Sequence, residues 1–290
     1  MKDISNKIQR ASHSGAILNV VHRDNGYFVS KVIRESIDRN YDAILKQKRF
    51  NSLKTNTYEV KSIPVESINK SEQELEIIMP FIDGVSGEQV VHKGSKVVAK
   101  SLKSALDFYL INSLSNSSDA IYQVDKIISK IDDVELKIKE KKQEFPELIE
   151  HLKAFREYCS KDLKLPIGEC HGDLTLSNLK ITETNELMLF DFLSCDINSP
   201  LQDAAKLIQD LEYGWSFRKE KESVRTKGEI FCTYAMPNLI NLLNRLFQYE
   251  MRVIETLTIL RIAPYIKRND TKTISWFNET MSKSMSKIIG

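Results

Sequence analysis

The stretch His171-Gly172-Asp173-Leu174-Thr175-Leu176-Ser177-Asn178, followed by Leu189-Phe190-Asp191-Phe192, decides the fold of this chain. The two pieces carry three polar side chains in a fixed order: an aspartate, an asparagine and a second aspartate. A single Asp or Asn in a loop usually forms a turn or a cap, because its side chain bonds the nearby backbone. Three such residues at this spacing instead indicate one shared chemical site.

Phosphoryl transfer is the chemistry that needs this set of side chains. The reaction requires an acceptor hydroxyl held in line with the terminal phosphate, and Mg²⁺ to neutralise charge on the phosphate oxygens. Asp173 would orient that hydroxyl and accept its proton. Asn178 offers an amide oxygen and Asp191 a carboxylate, and hard oxygen ligands suit Mg²⁺. We therefore take Asp173 as the candidate catalytic residue, and Asn178 and Asp191 as candidate metal ligands.

A short hairpin between the two pieces is expected to bring the metal ligands together. Residues 179–182 and 186–190 have the pattern of two strands, joined by a turn at Thr184-Asn185. Such a hairpin returns Asn178 and Asp191 to the same end. His171 is expected to pack and hydrogen-bond within the loop rather than to act as an acid or base, since Asp173 already fills that role.

The loop sequence resembles the aminoglycoside phosphotransferase and choline kinase group of the protein-kinase-like fold. That group carries Gly at the place of Gly172, where protein kinases usually carry Arg. Downstream, Asp191 to Asp196 and then Ser199-Pro200-Leu201-Gln202-Asp203 resemble the Asp-Pro-x-x-Asp stretch of the group, with Ser199 in place of the usual Asp. The continuation to Trp215-Ser216 looks more like the phosphotransferases of bacterial surface-polysaccharide gene clusters than like antibiotic-modifying enzymes.

The resemblance implies an α+β, bilobal protein-kinase-like fold. Residues 1–83 would form a small β-rich N-lobe, an antiparallel sheet plus a helix that covers the nucleotide. Residues 84–290 would form a larger, mainly helical C-lobe with the catalytic loop and the acceptor site. The implied cofactors are ATP and Mg²⁺, and the implied partner is a small molecule with a hydroxyl group.

The N-terminal strands would supply the phosphate contacts. Asn25-Gly26 lies between two β-rich runs and predicts a hairpin. In a kinase-like N-lobe, Ser14 and Gly15 would belong to the phosphate-covering turn, and Lys31 would reach the α- and β-phosphates. The turn contains one Gly rather than a Gly-rich run, so an ordinary surface turn is the alternative. An exposed strand lysine is the alternative for Lys31.

The segments after Lys31 would complete the nucleotide site. Residues 36–53 read as a helix that contains no Glu to pair with Lys31, and Asp42 is the nearest acidic substitute. Residues 58–65 and 74–79 read as two strands around a polar turn. The resemblance places the adenine against backbone near Met79 and Phe81, although Met79 is equally readable as a core residue.

The C-terminal part reads as mainly helical. Residues 88–160 are expected to be wholly helical, and residues 217–228 are expected to be a solvated connection rather than an acceptor-side loop. This neighbourhood is not acidic, which favours an anionic or neutral acceptor over a polycationic one. Aromatic residues could line a sugar site, although core packing explains each of them as well: Tyr213, Trp215, Phe217 and Trp276.

Composition excludes several other classes of function. The chain has 290 residues and a formal net charge of +2, which is too balanced to indicate nucleic acid or membrane as the main partner. Its four cysteines are scattered, so neither a zinc site nor a disulfide framework is indicated. No apolar run reaches the length of a membrane span, and the N-terminus is polar. We expect a cytoplasmic protein, and nothing in the sequence indicates its oligomeric state.

The sequence therefore predicts an ATP-dependent phosphotransferase that acts on a hydroxyl of a small molecule, a sugar or sugar-like precursor of the bacterial surface. Two alternatives stay open. One is a pseudokinase-like nucleotide-binding module with weak catalysis, because the helix lacks a Glu and the phosphate turn is poor in Gly. The other is a choline or amino-alcohol kinase.

Overall fold

A computed structural model describes residues 16–23 and 26–289, and these divide into two compact units. The first unit joins the chain before Val91 to the segment His171–Asp196, and the second contains Val91–Cys170 and the chain from Ile197 onward. Helices and sheets are both present, which confirms the α+β class. The predicted lobe boundary after residue 83 stays a prediction.

An antiparallel sheet of four strands opens the first unit. Its strands are β1 (Ile17–Arg23), β2 (Gly26–Ile33), β5 (Ser67–Lys70) and β6 (Leu75–Pro80). Their order across the sheet is β1-β2-β6-β5, and every neighbouring pair is antiparallel. Arg23 pairs with Gly26 at the end of the first pair, so the hairpin predicted from Asn25-Gly26 is confirmed.

A second sheet in the same unit carries the hairpin of the candidate site. Its strands are β3 (Leu53–Lys54), β4 (Glu59–Ser62), β7 (Val85–Ser86), β10 (Leu179–Ile181) and β11 (Glu186–Leu189). They lie in the order β3-β4-β11-β10-β7, with β11 parallel to β4 and antiparallel to β10. The predicted pairing of 58–65 with 74–79 around one turn was wrong, because β4 and β6 belong to different sheets.

Helix α1 (Ile37–Arg49) covers one face of the first sheet. Its side chains Ile37, Tyr41 and Ile44 recur at the spacing of one helical face and pack against an apolar cluster from the strands. That cluster includes Leu75, Ile77 and Met79 of β6 and Met188 of β11. The predicted helix over 36–53 is confirmed in type but ends at Arg49, and Leu53 is already in a strand.

The other α-helices of the described chain belong to the second unit, except that α2 begins in the first unit and ends in the second. They are α2 (Gly87–Lys93), α3 (Lys96–Ser115), α4 (Val124–Lys137), α5 (Leu148–Tyr158), α6 (Pro200–Leu211), α7 (Glu222–Ala235), α8 (Asn238–Leu246), α9 (Gln248–Leu260) and α10 (Thr271–Ile289). Helix α9 is buried on nearly every side from Val253 to Leu260 and packs against α6 and α10. A helix that is buried all round belongs at the centre of a core.

Two sequence expectations fail in this second unit. Residues 88–160 are not wholly helical, because β8 (Ser118–Tyr122) pairs with β9 (Leu163–Ile167) in an antiparallel ladder. A short run such as Ala120-Ile121-Tyr122 suits a strand once a distant partner exists, and a local pattern cannot show that partner. Residues 217–228 are not a simple connection either, since α7 begins at Glu222.

The start of α6 explains the Ser-Pro variant noted in the sequence. The Ser199 hydroxyl accepts a hydrogen bond from the backbone N–H of Leu201 at 3.2 Å, and Pro200 occupies the first helical position. Serine and aspartate are both good N-caps, so Ser199 keeps the capping function of the usual Asp. Asp203 of this helix is fully buried and accepts a hydrogen bond from the Tyr109 hydroxyl at 2.8 Å.

Within residues 16–23 and 26–289, none of the helices combines the length and the apolar character that crossing a membrane requires.

Candidate active site

Asp173 and Asn178 are brought together by a tight loop that ends in a short 3-10 helix, Leu176–Asn178. The Asn178 amide nitrogen donates to the backbone carbonyl of Asp173 at 2.8 Å and to its Oδ2 at 2.9 Å. The backbone N–H of Thr175 also donates to the Asp173 carbonyl, at 2.8 Å. The side chain of Asn178 therefore holds the Asp173 carboxylate in place.

His171 is a buried structural member of this loop. The backbone N–H of Asp173 donates to its Nδ1 at 3.3 Å, which makes Nδ1 an acceptor and leaves Nε2 to donate to the Phe190 carbonyl at 2.9 Å. The ring packs on Phe192 with centroids 4.2 Å apart. Both ring nitrogens are thus engaged, which agrees with the expected packing role.

Both the backbone conformation at Gly172 and the lack of space around it require glycine. Its φ is +87°, a region that residues with a Cβ seldom adopt. A Cβ at this position would also lie 2.7 Å from the carbonyl oxygen of Leu193 and 3.1 Å from Sγ of Cys195. Because the nearest atom is backbone, a side chain here would push the catalytic loop away from the segment that follows Asp191.

The substitution Gly172→Ala is expected to lower the free energy of unfolding by about 1–3 kcal/mol, because it adds backbone strain and a backbone contact. Chemical denaturation measures this change. Gly26→Ala is the matched control, since Gly26 has φ of +127° but nothing within 4 Å of an added Cβ. Equal losses of unfolding free energy in the two variants would show that the contact between the added Cβ and the Leu193 carbonyl contributes nothing.

Asp191 lies directly beyond the hairpin and pairs with Lys31. The backbone N–H of Phe190 donates to the Asn178 carbonyl at 3.2 Å, so the two predicted metal ligands come from the same end of the hairpin. Asp191 has φ of +57°, a left-handed conformation that Asp tolerates better than most residues. Its Oδ1 lies 2.8 Å from Nζ of Lys31.

This ion pair corrects the predicted partner of Lys31. The Lys31 side chain is only 14% exposed and projects from β2 beside Ile77 of β6, so its charge needs a nearby acid. Asp191 supplies that acid, whereas Asp42 is exposed on α1. The two paired residues are 160 positions apart in the chain. The sequence of α1, the helix that follows Lys31, therefore could not indicate that Asp191 is the partner of Lys31.

The other predicted nucleotide contacts are placed less favourably. Ser14 and Gly15 lie outside the described residues. Met79 is a core residue, with its sulfur 3.5 Å from the Gln47 amide nitrogen. The Phe81 N–H already donates to the Tyr27 carbonyl at 2.8 Å, so Phe81 can meet a nucleotide only through its carbonyl or its ring.

Sequence reasoning missed Lys180, a lysine of β10 in the same unit. Its ammonium donates to the Ile82 carbonyl at 2.8 Å and lies 5.3 Å from the centre of the Phe81 ring. Lys180 thus connects the hairpin to the segment that the sequence assigned to adenine. Its position between the apolar residues Leu179 and Ile181 is the one local signal, since alternation on a strand turns it to the opposite face.

A second lysine links the turn end of the hairpin to β4. The Lys61 ammonium lies 2.7 Å from Glu186 of β11 and 3.0 Å from Glu59 of its own strand. The hydrogen bond from Lys61 lowers the pKa of Glu186 below its ordinary value. The parallel pairing of β4 and β11 places these charges side by side.

The donor set fits Mg²⁺ in its chemistry. Asp191 offers a carboxylate that is 39% exposed, and Asn178 has its amide nitrogen turned to Asp173, which leaves the amide oxygen for a metal. No cluster of three or more His, Cys, Asp or Glu side chains that could hold a metal occurs in the described ranges. Mg²⁺ commonly uses one or two protein oxygens together with substrate phosphates.

The family model described as "Phosphotransferase enzyme family" matches residues 131–232. This span contains the loop of Asp173, the hairpin and α6, and the match confirms the resemblance to the phosphotransferase family, whereas the link to surface-polysaccharide gene clusters stays a prediction. Together with the fold, it supports a kinase-type phosphotransferase that uses a hydroxyl acceptor. No curated protein sequence matches the chain significantly.

Several solved structures resemble this chain. The ADP-bound aminoglycoside phosphotransferase APH(2'')-Ib shares 15% identity and a TM-score of 0.50, with 99% of each chain covered. Spectinomycin phosphotransferase APH(9)-Ia, with ADP and spectinomycin, shares 10% identity over 95% of this chain and 90% of that one, with a TM-score of 0.47. A putative fructosamine-3-kinase from Haemophilus somnus shares 12% over 94% and 89%, with a TM-score of 0.48. At these identities, the first likeness shows a protein-kinase-like fold and no more.

Proposed function

We propose that this protein transfers the γ-phosphate of ATP to a hydroxyl of a small molecule, a sugar or sugar-like precursor of the bacterial surface. The observation that carries the proposal is the convergence of four side chains in one unit: Asp173 bonded to Asn178, and Asp191 paired with Lys31. A turn or cap role would explain any one of these residues. It would not explain why Lys31, 160 positions away in the chain, meets Asp191 at the end of the hairpin that begins after Asn178.

Each residue has a definite part in the proposed reaction. Asp173 orients the acceptor hydroxyl and takes its proton, and Asn178 holds the Asp173 carboxylate in place. Asn178 and Asp191 would hold Mg²⁺, which when bound neutralises charge on the phosphate oxygens. Lys31 contacts the phosphates of ATP, because its ammonium already lies beside Asp191 and is largely shielded from water.

We take a cleft in the second unit as the candidate site for the acceptor. Its lining includes the aromatic residues Tyr213, Phe217 and Trp276. The Trp276 indole N–H donates to the Tyr213 carbonyl at 2.5 Å, and the Tyr213 hydroxyl donates to Glu255 at 2.5 Å, so the polar ends of these two rings are occupied. Each of the three rings is at most 9% exposed, so they pack mainly into the core and offer an acceptor little ring surface.

The charges of the same cleft balance. Three cations and three anions contribute to its lining: Arg218, Arg225, Lys283, Glu212, Glu229 and Glu279. A polycationic antibiotic would need an excess of carboxylates, which this lining does not provide. The balance therefore favours a neutral acceptor such as a sugar hydroxyl. We also propose the cytoplasm as its compartment, in keeping with the four free thiols.

One observation favours a second candidate function, a nucleotide-binding module with weak catalysis. Lys31 has Asp191 as its partner, and the following helix offers it no acid. If this pair persists in the nucleotide complex, both groups stay partly occupied by each other. Such a protein would bind ATP but turn it over slowly.

Titration with ATP and Mg²⁺ is expected to raise the thermal unfolding midpoint, since a ligand that binds only the folded state stabilises it by about 2.7 kcal/mol at 100 times its Kd. Phosphate transfer from ATP to a panel of sugars and amino alcohols then identifies the acceptor class. Stabilisation with transfer to a sugar supports the proposal, and transfer only to amino alcohols contradicts its acceptor. Stabilisation without transfer favours the binding module, whereas no stabilisation at millimolar nucleotide contradicts both.

A further inference from the structure

Two cations of α1 bind the backbone just beyond Asp191. The Lys46 ammonium donates to the Leu193 carbonyl at 2.9 Å, and Nε of Arg39 donates to the Ser194 carbonyl at 2.9 Å. Both contacts span about 150 residues of sequence, and all four residues belong to the first unit. The helix that was expected to supply an acid to the site therefore supplies two cations instead.

The helical period explains why both cations reach the same segment. Arg39 and Lys46 are seven residues apart, so at roughly 100° per residue they lie within about 20° of each other on the helix. Phe50, just beyond the last turn, continues this side of the helix and packs against Phe192 with ring centroids 5.7 Å apart. Three side chains along one edge of α1 thus contact three consecutive residues, 192–194.

Leu193 is held from both sides by this arrangement. Its N–H donates to the His171 carbonyl at 2.9 Å, and its own carbonyl accepts the Lys46 ammonium. The same carbonyl lies where a Cβ on Gly172 would be only 2.7 Å away. The position of Leu193 consequently determines how close the segment after Asp191 lies to the loop that carries Asp173.

We infer that Arg39 and Lys46 are positioning residues that hold the 192–194 segment and thereby place the Asp191 carboxylate for the metal-bound nucleotide. This inference rests on the proposed function. Each cation acts through a hydrogen bond to a backbone carbonyl of the segment rather than on the substrate, and so disfavours outward movement of the segment. The backbone at Asp191 needs such support, because its left-handed conformation persists only when the surroundings impose it.

The test uses Lys46→Met and Arg39→Gln in the full chain. Each variant is expected to raise the KM for magnesium–ATP by about three- to tenfold, the loss of one charged hydrogen bond, and to leave the KM for the acceptor unchanged. In the nucleotide-free protein, hydrogen exchange at the Leu193 amide is expected to become faster. Lys46→Arg keeps a charged hydrogen-bond donor. It is expected to retain the KM for magnesium–ATP and the Leu193 exchange rate of the unsubstituted protein.

Two residues of the same helix provide matched controls. Lys48 and Arg49 are exposed. Their side chains make no hydrogen bond or ion pair within the part of the chain that the structure describes. Lys48→Met and Arg49→Gln remove the same charges, so they report the general electrostatic attraction of a cation for ATP. Equal increases of KM in test and control variants would overturn the positioning role.

The remaining outcomes also decide the question. Unchanged exchange at Leu193 in Lys46→Met and Arg39→Gln overturns the inference, whatever the nucleotide affinity. Faster hydrogen exchange at the Leu193 amide with an unchanged KM for magnesium–ATP would show that the position of the 192–194 segment does not affect Asp191. Failure of the proposed function is visible separately, because the unsubstituted protein would then show no magnesium-dependent binding of ATP.

Discussion

Replacing Asp173 with asparagine is expected to slow phosphoryl transfer by about 10²–10⁴-fold and to leave the affinity for ATP nearly unchanged. Asparagine has the shape of aspartate, and its amide oxygen can still accept the hydrogen bond that Asn178 donates to Oδ2 at 2.9 Å. The substitution removes only the negative charge that would take the proton of the acceptor. Single-turnover rates with saturating nucleotide measure the loss.

The matched control for this variant is Asp42→Asn. Asp42 is an exposed aspartate of α1 in the same unit, and removing its charge is expected to leave the transfer rate within about twofold. A transfer rate in Asp173→Asn that equals the unsubstituted rate would show that Asp173 is not the proton acceptor. Lost nucleotide affinity in this variant would mean that the loop, rather than the charge, had changed.

Asp191→Asn is expected to weaken the binding of magnesium–ATP by at least about 10- to 100-fold, the loss that even an outer partner of a metal site typically causes. Asparagine is preferred over alanine here, because Asp191 has φ of +57° and Asn tolerates that conformation. The substitution removes a carboxylate from the metal and also the acid that faces Lys31. Calorimetric titration with and without Mg²⁺ measures both effects.

Magnesium dependence separates these two consequences of Asp191→Asn. If Asp191 binds the metal, the variant loses most of the difference between titrations with and without Mg²⁺. If Asp191 only pairs with Lys31, the freed lysine should bind ATP more tightly in the absence of Mg²⁺, and the benefit of the metal should persist. Denaturation of the nucleotide-free variant checks that its fold is intact.

Local sequence pattern was enough for the central part of the site. The turn at Thr184-Asn185 and the two short apolar runs around it predicted the hairpin, because side-chain alternation and turn preference are properties of neighbouring residues. The spacing of Asp173 and Asn178 likewise predicted that both lie on one tight loop, but not the hydrogen bond between them. The role of Gly172 was visible as a family feature, but its physical cause, the Leu193 carbonyl, was not.

Local pattern failed wherever a distant segment decides the conformation. Residues 118–122 became a strand because β9 pairs with them, although they follow a long helix. Strand β4 belongs to the second sheet, where it runs parallel to β11, a strand more than a hundred residues further along the chain. In both cases the partner strand supplies the hydrogen bonds, and a propensity scale does not contain that information.

The sequence by itself indicated a kinase-type phosphotransferase with an α+β fold, because motif spacing and periodicity are encoded within short windows. Only the tertiary structure decided how the charges of the first unit are paired. Lys31 meets Asp191 instead of Asp42, and Lys46 and Arg39 meet backbone carbonyls instead of acids. The physical reason is that a partly buried charge takes the partner that packing brings within about 3 Å, and packing brings together residues that the sequence holds far apart.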